Sequence, residues 1–415
     1  MEIAQLIRPI DASGNCCGFE VGLHSGPLTP TQRFTADSEK RQAGNTEPLR
    51  MTDQVSKSGI DYSVVIAPNL LAELPSRIST RYPDSHAVLL TDNRVWDLYG
   101  ADLAEGLTRH GIEVDDIVIP EGEASKSLDT YSGIIEELHH HRFDEDSLLI
   151  NLGGGVITDI GGFVAASYRQ GVRSILIPTT LFGQQEAAFG TRVGLNTDWS
   201  KNFIGSASKP DVMYSDPTLL SSLGRRDLAS GLAATLKLGL THDYELFAFL
   251  EKSVGDVLNE GDVDVLHQLV LRASSNQLSP SMPDKSRGLG VALAHALEAT
   301  SRYGGGILHG EALAWGMAVA TAISARRRLM KETTVERVFA LMAACELPPE
   351  LPGHVLRTAI DRMDLGRTGK MVLPVTIGTV TNAISPSVSD VHSALDVVRN
   401  HPAFGDIRPN YRNAA

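Results

Sequence analysis

SLLINLGGGVITD, residues 147–159, is an apolar run that stops at three glycines and resumes with a helical spacing. A short apolar run bounded by glycine is the pattern of a strand buried on both faces. Glycine has no Cβ, so the backbone N–H groups of such a turn can approach a pyrophosphate, and the following helix presents its positive end to it. Three consecutive glycines are not the spaced glycine fingerprint of dinucleotide sites, and tight-turn packing is the alternative at this stage.

Working outward, the same alternation repeats. YSVVIA (62–67), HAVLLTD (86–92), VDDIVIP (114–120) and SILIPTT (174–180) are further strand patterns. Helical patterns lie between them at 70–82, 95–110 and 127–141. Strands alternating with helices predict a parallel sheet with helices on both faces, and ligands of such sheets bind beyond the carboxyl ends of the strands. From about Leu223 the β-branched runs disappear and helical patterns dominate, at 227–240, 244–250, 263–277, 291–300, 311–331 and 334–344. The expected organisation is an extension over 1–60, partly flexible, with a short strand near Gly18–Leu23. An α/β nucleotide-binding domain over 61–222 and a mostly α-helical domain over 223–415 follow, with the substrate cleft between them.

Composition narrows the partners. Across 415 residues, 37 Lys and Arg face 50 Asp and Glu, a formal charge of −13 that argues against nucleic acid or an anionic membrane. No apolar run reaches the roughly 20 residues needed to span a bilayer, and the start lacks a signal-peptide pattern. Cys16, Cys17 and Cys345 form no disulfide framework and read as ordinary thiols of a cytoplasmic protein. The run His139-His140-His141 reads as a solvated helix end, because consecutive helical residues face different directions. Trp199 and Trp315 read as packing residues.

Several polar residues fall at strand ends, around the presumptive cleft. Asp92 closes an early strand, where its carboxylate can accept hydrogen bonds from a ribose. Glu123 and Lys126 in PEGEASKS are spaced for ribose and adenine contacts, and Thr179 and Thr180 end another strand.

GGGVITDIGGFVAASYRQGV, IPTTLFGQ, KNFIG and LHGEALAWGM stand in the order and near-spacing of dehydroquinate synthases, and the chain resembles that family of sugar phosphate cyclases from about Tyr62 to about Ser324. The YRQG segment and the long extension are more similar to the valiolone-type cyclases of secondary metabolism, such as antibiotic biosynthesis. The resemblance implies a Rossmann-like sheet domain of the dehydroquinate-synthase type and a homodimer. It also implies NAD held by Asp92, Glu123, Lys126, Gly154, Gly155, Asp159, Thr179 and Thr180. The family oxidises a substrate alcohol with bound NAD, eliminates phosphate, returns the hydride and closes a carbocycle by an intramolecular aldol step. A divalent metal, usually zinc, grips the substrate hydroxyls through one glutamate and two histidines.

Here the resemblance breaks down. The family's glutamate position is Ala234 in GLAATLK, the first histidine position is Val291 in GLGVALAHALE, and only His309 in LHGE remains. Alanine and valine cannot coordinate a metal, and one imidazole falls short of a three-ligand zinc site. Zinc or cobalt is therefore not expected, unless a site is rebuilt from His309 with His295 and Glu186. Glu186 replaces an aspartate, Arg192 replaces a lysine, and Gln170 stands where the family has a phosphate-binding arginine, beside Arg169. Lys201, Asn202, Lys237 and His295 are retained. The catalytic set implied is Glu186, Arg192, Lys201, Asn202, Lys237, His295 and His309, with Lys201, Lys237, Glu186 or His295 as a base if burial tunes its pKa. Solvated loop charges (Arg192, Lys201) and packing roles on helices (Lys237, His295) are the alternatives. Three functions remain open: a diverged NAD-using cyclase acting on a small polyhydroxylated anion, a non-catalytic partner or regulator, and an NAD-dependent polyol dehydrogenase.

Overall fold

The computed structural model describes residues 51–57, 60–197, 201–279, 288–301, 306–363, 365 and 369–405. The short strand expected near Gly18–Leu23, Cys16, Cys17 and Trp199 lie outside the described residues. The strands are β1 (Met51–Lys57), β2 (Ile60–Ile66), β3 (His86–Asp92), β4 (Glu113–Ile119), β5 (Leu148–Gly153), β6 (Arg173–Pro178), β7 (Arg192–Leu195), β8 (Ile204–Ala207), β9 (Val212–Ser215), β10 (Met371–Thr376) and β11 (Thr379–Ile384). Seven of them form one sheet in the order β1-β2-β9-β6-β5-β3-β4. Every pairing in it is parallel except β1 with β2.

The sheet is covered on both faces, as the alternation predicts. Val65, Leu89, Ile150 and Ile177 pack on one side against Leu74, Ile78, Leu103 and Leu107. Val88, Leu90 and Leu149 pack on the other against Ile134, Leu138, Ile160 and Val164. A third and larger cluster joins the end of the sheet (Tyr62, Val64, Leu176, Met213) to the helices of the carboxy-terminal half. Trp315 is buried there and its indole Nε1–H donates to the Pro349 carbonyl at 3.0 Å, a packing role as expected. Among the described residues no helix is long and apolar enough to cross a membrane.

The structure departs from the sequence pattern where strands are short or polar. MTDQVSK, assigned to the extension, is strand β1; it pairs through its backbone with β2 and has no apolar run to reveal it. The carboxy-terminal half is mostly helical but carries the hairpin β10–β11. The segment around Arg192 and the KNFIG motif supply the two strands of a further hairpin, β7 and β8. Their glycines serve close approach: a Cβ on Gly194 would lie 2.7 Å from the Ile204 carbonyl oxygen, and one on Gly205 would lie 2.8 Å from that of Val193.

The glycine of LHGE has a similar cause. Helix His309–Arg326 crosses helix Arg225–Thr241 so closely that a Cβ on Gly310 would sit 1.8 Å from the Ser230 carbonyl oxygen. That obstacle is backbone and cannot rotate away. Glu311 completes the helix start by accepting from the Leu308 N–H at 2.8 Å and from both arms of the Arg226 guanidinium. Gly310→Ala should therefore lower the unfolding free energy by about 1–3 kcal/mol, the usual cost of overpacking. A denaturant midpoint equal to that of the parent would refute this account of the helix crossing.

Candidate active site

Parallel pairing sets the strand ends side by side. Asp92 pairs with Ile119 across β3 and β4, and Gly153 pairs with Pro178 across β5 and β6. Asp92, the 121–126 loop, Gly154 and Thr179 thus share the carboxyl edge of the sheet. Gly154 caps helix Gly155–Ser167 without a side-chain hydrogen bond, which leaves the first-turn amides facing that edge. Two of the residues expected to hold NAD are partly committed. Asp92 Oδ1 accepts from the Val95 N–H at 2.9 Å, and Thr180 Oγ1 accepts from the Gly183 N–H at 3.1 Å, each capping the next helix. Burial raises the Asp92 carboxyl pKa above its ordinary value, against the Val95 hydrogen bond.

From this edge a chain of buried and half-buried charges runs into the carboxy-terminal half. Lys126 is only 2% exposed. It pairs with Asp159 and lies 3.8 Å from Glu123. Glu123 accepts from the Asn196 side-chain amide at 2.8 Å and lies 3.4 Å from Lys201. Lys201 Nζ in turn donates to Glu298 Oε1 at 2.5 Å and lies 3.4 Å from His309 Nδ1. His309 Nδ1 is itself 3.1 Å from the same carboxylate oxygen, and its ring stands edge-on to Phe182 at 4.8 Å. Beside this chain, Lys237 pairs with Glu186. His295 and His309 stack loosely with ring centres 6.4 Å apart.

These contacts fix protonation. Burial opposes the charge on Lys201, yet Glu298 and Glu123 outweigh it and hold its pKa above the ordinary value. Lys201 is therefore held toward its ammonium form. Burial would raise the Glu298 carboxyl, but His309 and Lys201 hold it well below the usual carboxylate range. Glu123 is lowered in the same sense, since Lys201, Lys126 and the Asn196 amide overcome burial. His295 goes the other way: burial depresses it to about 4, more than Glu298 can restore. A neutral imidazole at pH 7 can accept a proton.

Two expected members do not join this chain of charges. Register pairs Leu195 with Ile204 at the end of the hairpin near Lys201, and Arg192 with Ala207 at the other end. Arg192 is thus roughly 10 Å away along β7. It is exposed and makes no ion pair among the described residues. Asn202 is also exposed; its backbone N–H donates to Asn196 Oδ1 at 3.0 Å, and its φ is 52°. Arg169 and Gln170 lie at the opposite, amino edge of the sheet, where a cavity of about 450 Å³ opens among Gln170, Arg173, Lys209 and Asp211. His139 and His140 are exposed in the last turn of helix Leu128–His140, as expected, whereas His141 is half-buried with its Nδ1 3.1 Å from the Asp115 carboxylate.

Sequence reasoning missed Glu298. It stands three residues after His295 and seven after Val291, all on one helical face, so a periodicity argument could have found it.

The donors do not suit a divalent metal. Ala234 and Val291 carry no ligand atom, His309 Nδ1 faces Glu298, and Glu186 is held by Lys237. Among the described residues no trio of His, Cys, Asp or Glu is placed to hold a metal ion. The rebuilt set of His309, His295 and Glu186 is not assembled. The edge formed by Gly154, Gly155, Lys126 and Asp159 does suit a dinucleotide, because it combines bare helix amides with anchored polar groups.

Each folded-state pKa has a consequence for stability. Above pH 6.5 His295 is neutral folded or unfolded. Between 6.5 and about 4 the unfolded chain takes a proton that the folded site resists, so stability falls as pH falls through this window. His295→Gln should flatten that part of the profile. Denaturant midpoints at pH 7 and pH 4.5 measure it, and an unchanged slope would contradict the buried neutral imidazole.

Comparison with known proteins agrees with the geometry. The family profile for the 3-dehydroquinate synthase N-terminal region matches residues 116–230, and that for its C-terminal region matches residues 231–366. The 3-dehydroquinate synthase of Desulforamulus reducens is 34% identical over 342 residues, covering 79% of this chain and 95% of the relative. The 2-epi-5-epi-valiolone synthase ValA of Streptomyces hygroscopicus, solved with NAD+ and Zn2+ bound, is 26% identical with a TM-score of 0.73, covering 87% of this chain and 99% of that one. A 2-deoxy-scyllo-inosose synthase complexed with carbaglucose-6-phosphate, NAD+ and Co2+ shares the fold at 21% identity and a TM-score of 0.72, covering 84% and 99% of the two chains. The chain belongs to the 3-dehydroquinate synthase family.

Proposed function

We propose that this chain is a diverged sugar-phosphate-cyclase-like enzyme of secondary metabolism. It would use bound NAD for a transient oxidation, with elimination and intramolecular aldol closure on a small, polyhydroxylated, anionic substrate, and without the zinc of its relatives. The observation that carries this is the chain of paired charges, buried and half-buried, running from the dinucleotide edge through Lys201 to Glu298 and His309. A nucleotide-binding edge wired to a second set of buried polar groups is what a redox step on a bound alcohol needs. Gly154, Gly155, Lys126, Asp159, Glu123, Asp92, Thr179 and Thr180 would hold the cofactor. When bound, NAD supplies a hydride acceptor that can return the hydride within one turnover.

The chain's own groups divide the remaining work. The His295 ring is the group that would accept the proton of the substrate hydroxyl; burial keeps it neutral and at the same time makes it a weaker base than a free imidazole. Lys201, permanently charged, stabilises oxygen anions that form as the substrate carbonyl polarises. Glu186 Oε2 and Glu298 Oε2 are buried without a hydrogen-bond partner. A ligand rich in hydroxyls satisfies both, which supports a polyol over an apolar alcohol. Arg192, exposed at the far end of its hairpin, takes the anionic group of the substrate. By the same family resemblance we place the enzyme in the cytoplasm as a homodimer.

A second reading, a non-catalytic partner subunit or nucleotide-binding regulator, is favoured by Ala234 and Val291 alone. Purified protein separates the two. The enzyme should retain bound nicotinamide nucleotide and turn over a sugar phosphate without net accumulation of NADH. Asp159→Asn, which strips Lys126 of its closest partner, should lower the retained nucleotide severalfold. Bound nucleotide with no turnover of any sugar phosphate, and capture of an active cyclase, would support the partner role. No nucleotide and no substrate-dependent nicotinamide absorbance would end the enzyme proposal.

A further inference from the structure

The hairpin that ends near Lys201 is fastened to the nucleotide edge by a residue outside the candidate set. Asn196 directly follows β7, and its backbone N–H donates to the Lys126 carbonyl at 2.8 Å. Its side-chain amide nitrogen donates to Glu123 Oε1 at 2.8 Å, the same oxygen that lies 3.4 Å from Lys201 Nζ. Its Oδ1 accepts from the Asn202 N–H at 3.0 Å, one residue beyond Lys201. That last bond braces Asn202 at a φ of 52°, a conformation that a residue with a Cβ keeps where its surroundings impose it. An amide can donate to the carboxylate and accept from the backbone together, whereas an aspartate in its place only accepts and an alanine does neither.

We propose that Asn196 is a positioning residue: it clamps the tip of hairpin β7–β8 to the 121–126 loop, so that the nucleotide edge and Lys201 are set together. Glu123 and Lys126 stand on the loop side of the clamp, and Lys201 and Asn202 on the hairpin side. A nucleotide that orders the loop thereby orders Lys201, and by the same linkage a displaced tip weakens the nucleotide. This rests on the nucleotide reading proposed above.

The experiment compares the full-length parent, Asn196→Ala and Asn196→Asp by two readouts. Labelling with sulfo-NHS-acetate and peptide mass spectrometry give the acylation rate of Lys201 relative to that of the exposed Lys252. Calorimetric titration of nucleotide-stripped protein gives the NAD+ affinity. Asn196→Ala should raise the Lys201-to-Lys252 ratio severalfold and weaken NAD+ roughly tenfold, the scale of one lost hydrogen bond to a charged group. Bound NAD+ should slow Lys201 labelling in the parent but not in Asn196→Ala, which a merely structural asparagine would not predict. Asn196→Asp keeps the acceptor for Asn202 but turns a carboxylate toward Glu123, so it should weaken NAD+ as alanine does. An unchanged labelling ratio in a folded Asn196→Ala overturns the clamp. So does an NAD+ affinity equal to the parent's, or a parent whose Lys201 labelling ignores bound NAD+. A parent that binds no NAD+ rejects the nucleotide reading instead, and the labelling ratio alone then decides the clamp. If neither variant folds, amide exchange in the parent decides: the Asn202 N–H should be protected, and exchange at the rate of an open loop overturns the proposal.

Discussion

A lysine from one half of the chain and a glutamate from the other meet at 2.5 Å where neither reaches solvent. Burying either charge alone would cost several kcal/mol, so each requires the other. This requirement constrains the helices that deliver them. Helix Val291–Thr300 must present Glu298 inward, and hairpin β7–β8 must end so that Lys201 enters the same space. Helix His309–Arg326 must start beside them, which the close crossing at Gly310 and the Glu311–Arg226 pair enforce. The same pair orders the site electrically, because Glu298 keeps Lys201 charged while burial keeps His295 neutral. One basic residue is thereby held toward its charged form and its neighbour toward its neutral form.

Most of the sheet was legible in the sequence because its central strands are buried on both faces and announce themselves as apolar runs ended by glycine, aspartate or threonine. HAVLLTD and LLINLG follow that rule and lie next to each other in the sheet. Strands that escaped had other reasons to be strands. β1 is held by backbone pairing at an edge, and β7 and β8 are four residues each, too short for any period to show. The hairpin β10–β11 sits in a half whose helical periodicity is otherwise strong, and its two six-residue runs were absorbed into that impression.

The site was legible as a list of residues and not as a set of partnerships. Lys201, His295, His309, Glu186 and Lys237 were read from the sequence as candidates, but a sequence cannot say that Glu186 pairs with Lys237 or that Lys201 lies against Glu298 and Glu123. Arg192 shows the limit from the other side. The resemblance placed it in the same implied catalytic set as Lys201, and strand register sets the two at opposite ends of the hairpin. Glu298 was passed over for a different reason. A glutamate on an alanine- and leucine-rich helix looks like a solvated face until burial shows it turned inward, at 4% exposure.

Losing metal ligands usually reads as losing function, because an open ligand set leaves buried polar atoms with nothing to bind. Here the surroundings do not have that character. Ala234 is fully buried and close-packed on the same helical face as Lys237, so its position is filled by core and holds no unsatisfied group. The carboxylates that remain are compensated by lysines, Asp159 and Glu123 by Lys126, and Glu123 and Glu298 by Lys201. A site decaying by drift would accumulate unpaired buried charge, since nothing would select for partners. Among the described buried atoms without a hydrogen-bond partner are one oxygen each of Glu186 and Glu298, whose other oxygens are held by lysines. That is the state of a site whose protein-side electrostatics are complete and whose remaining valences point to a ligand.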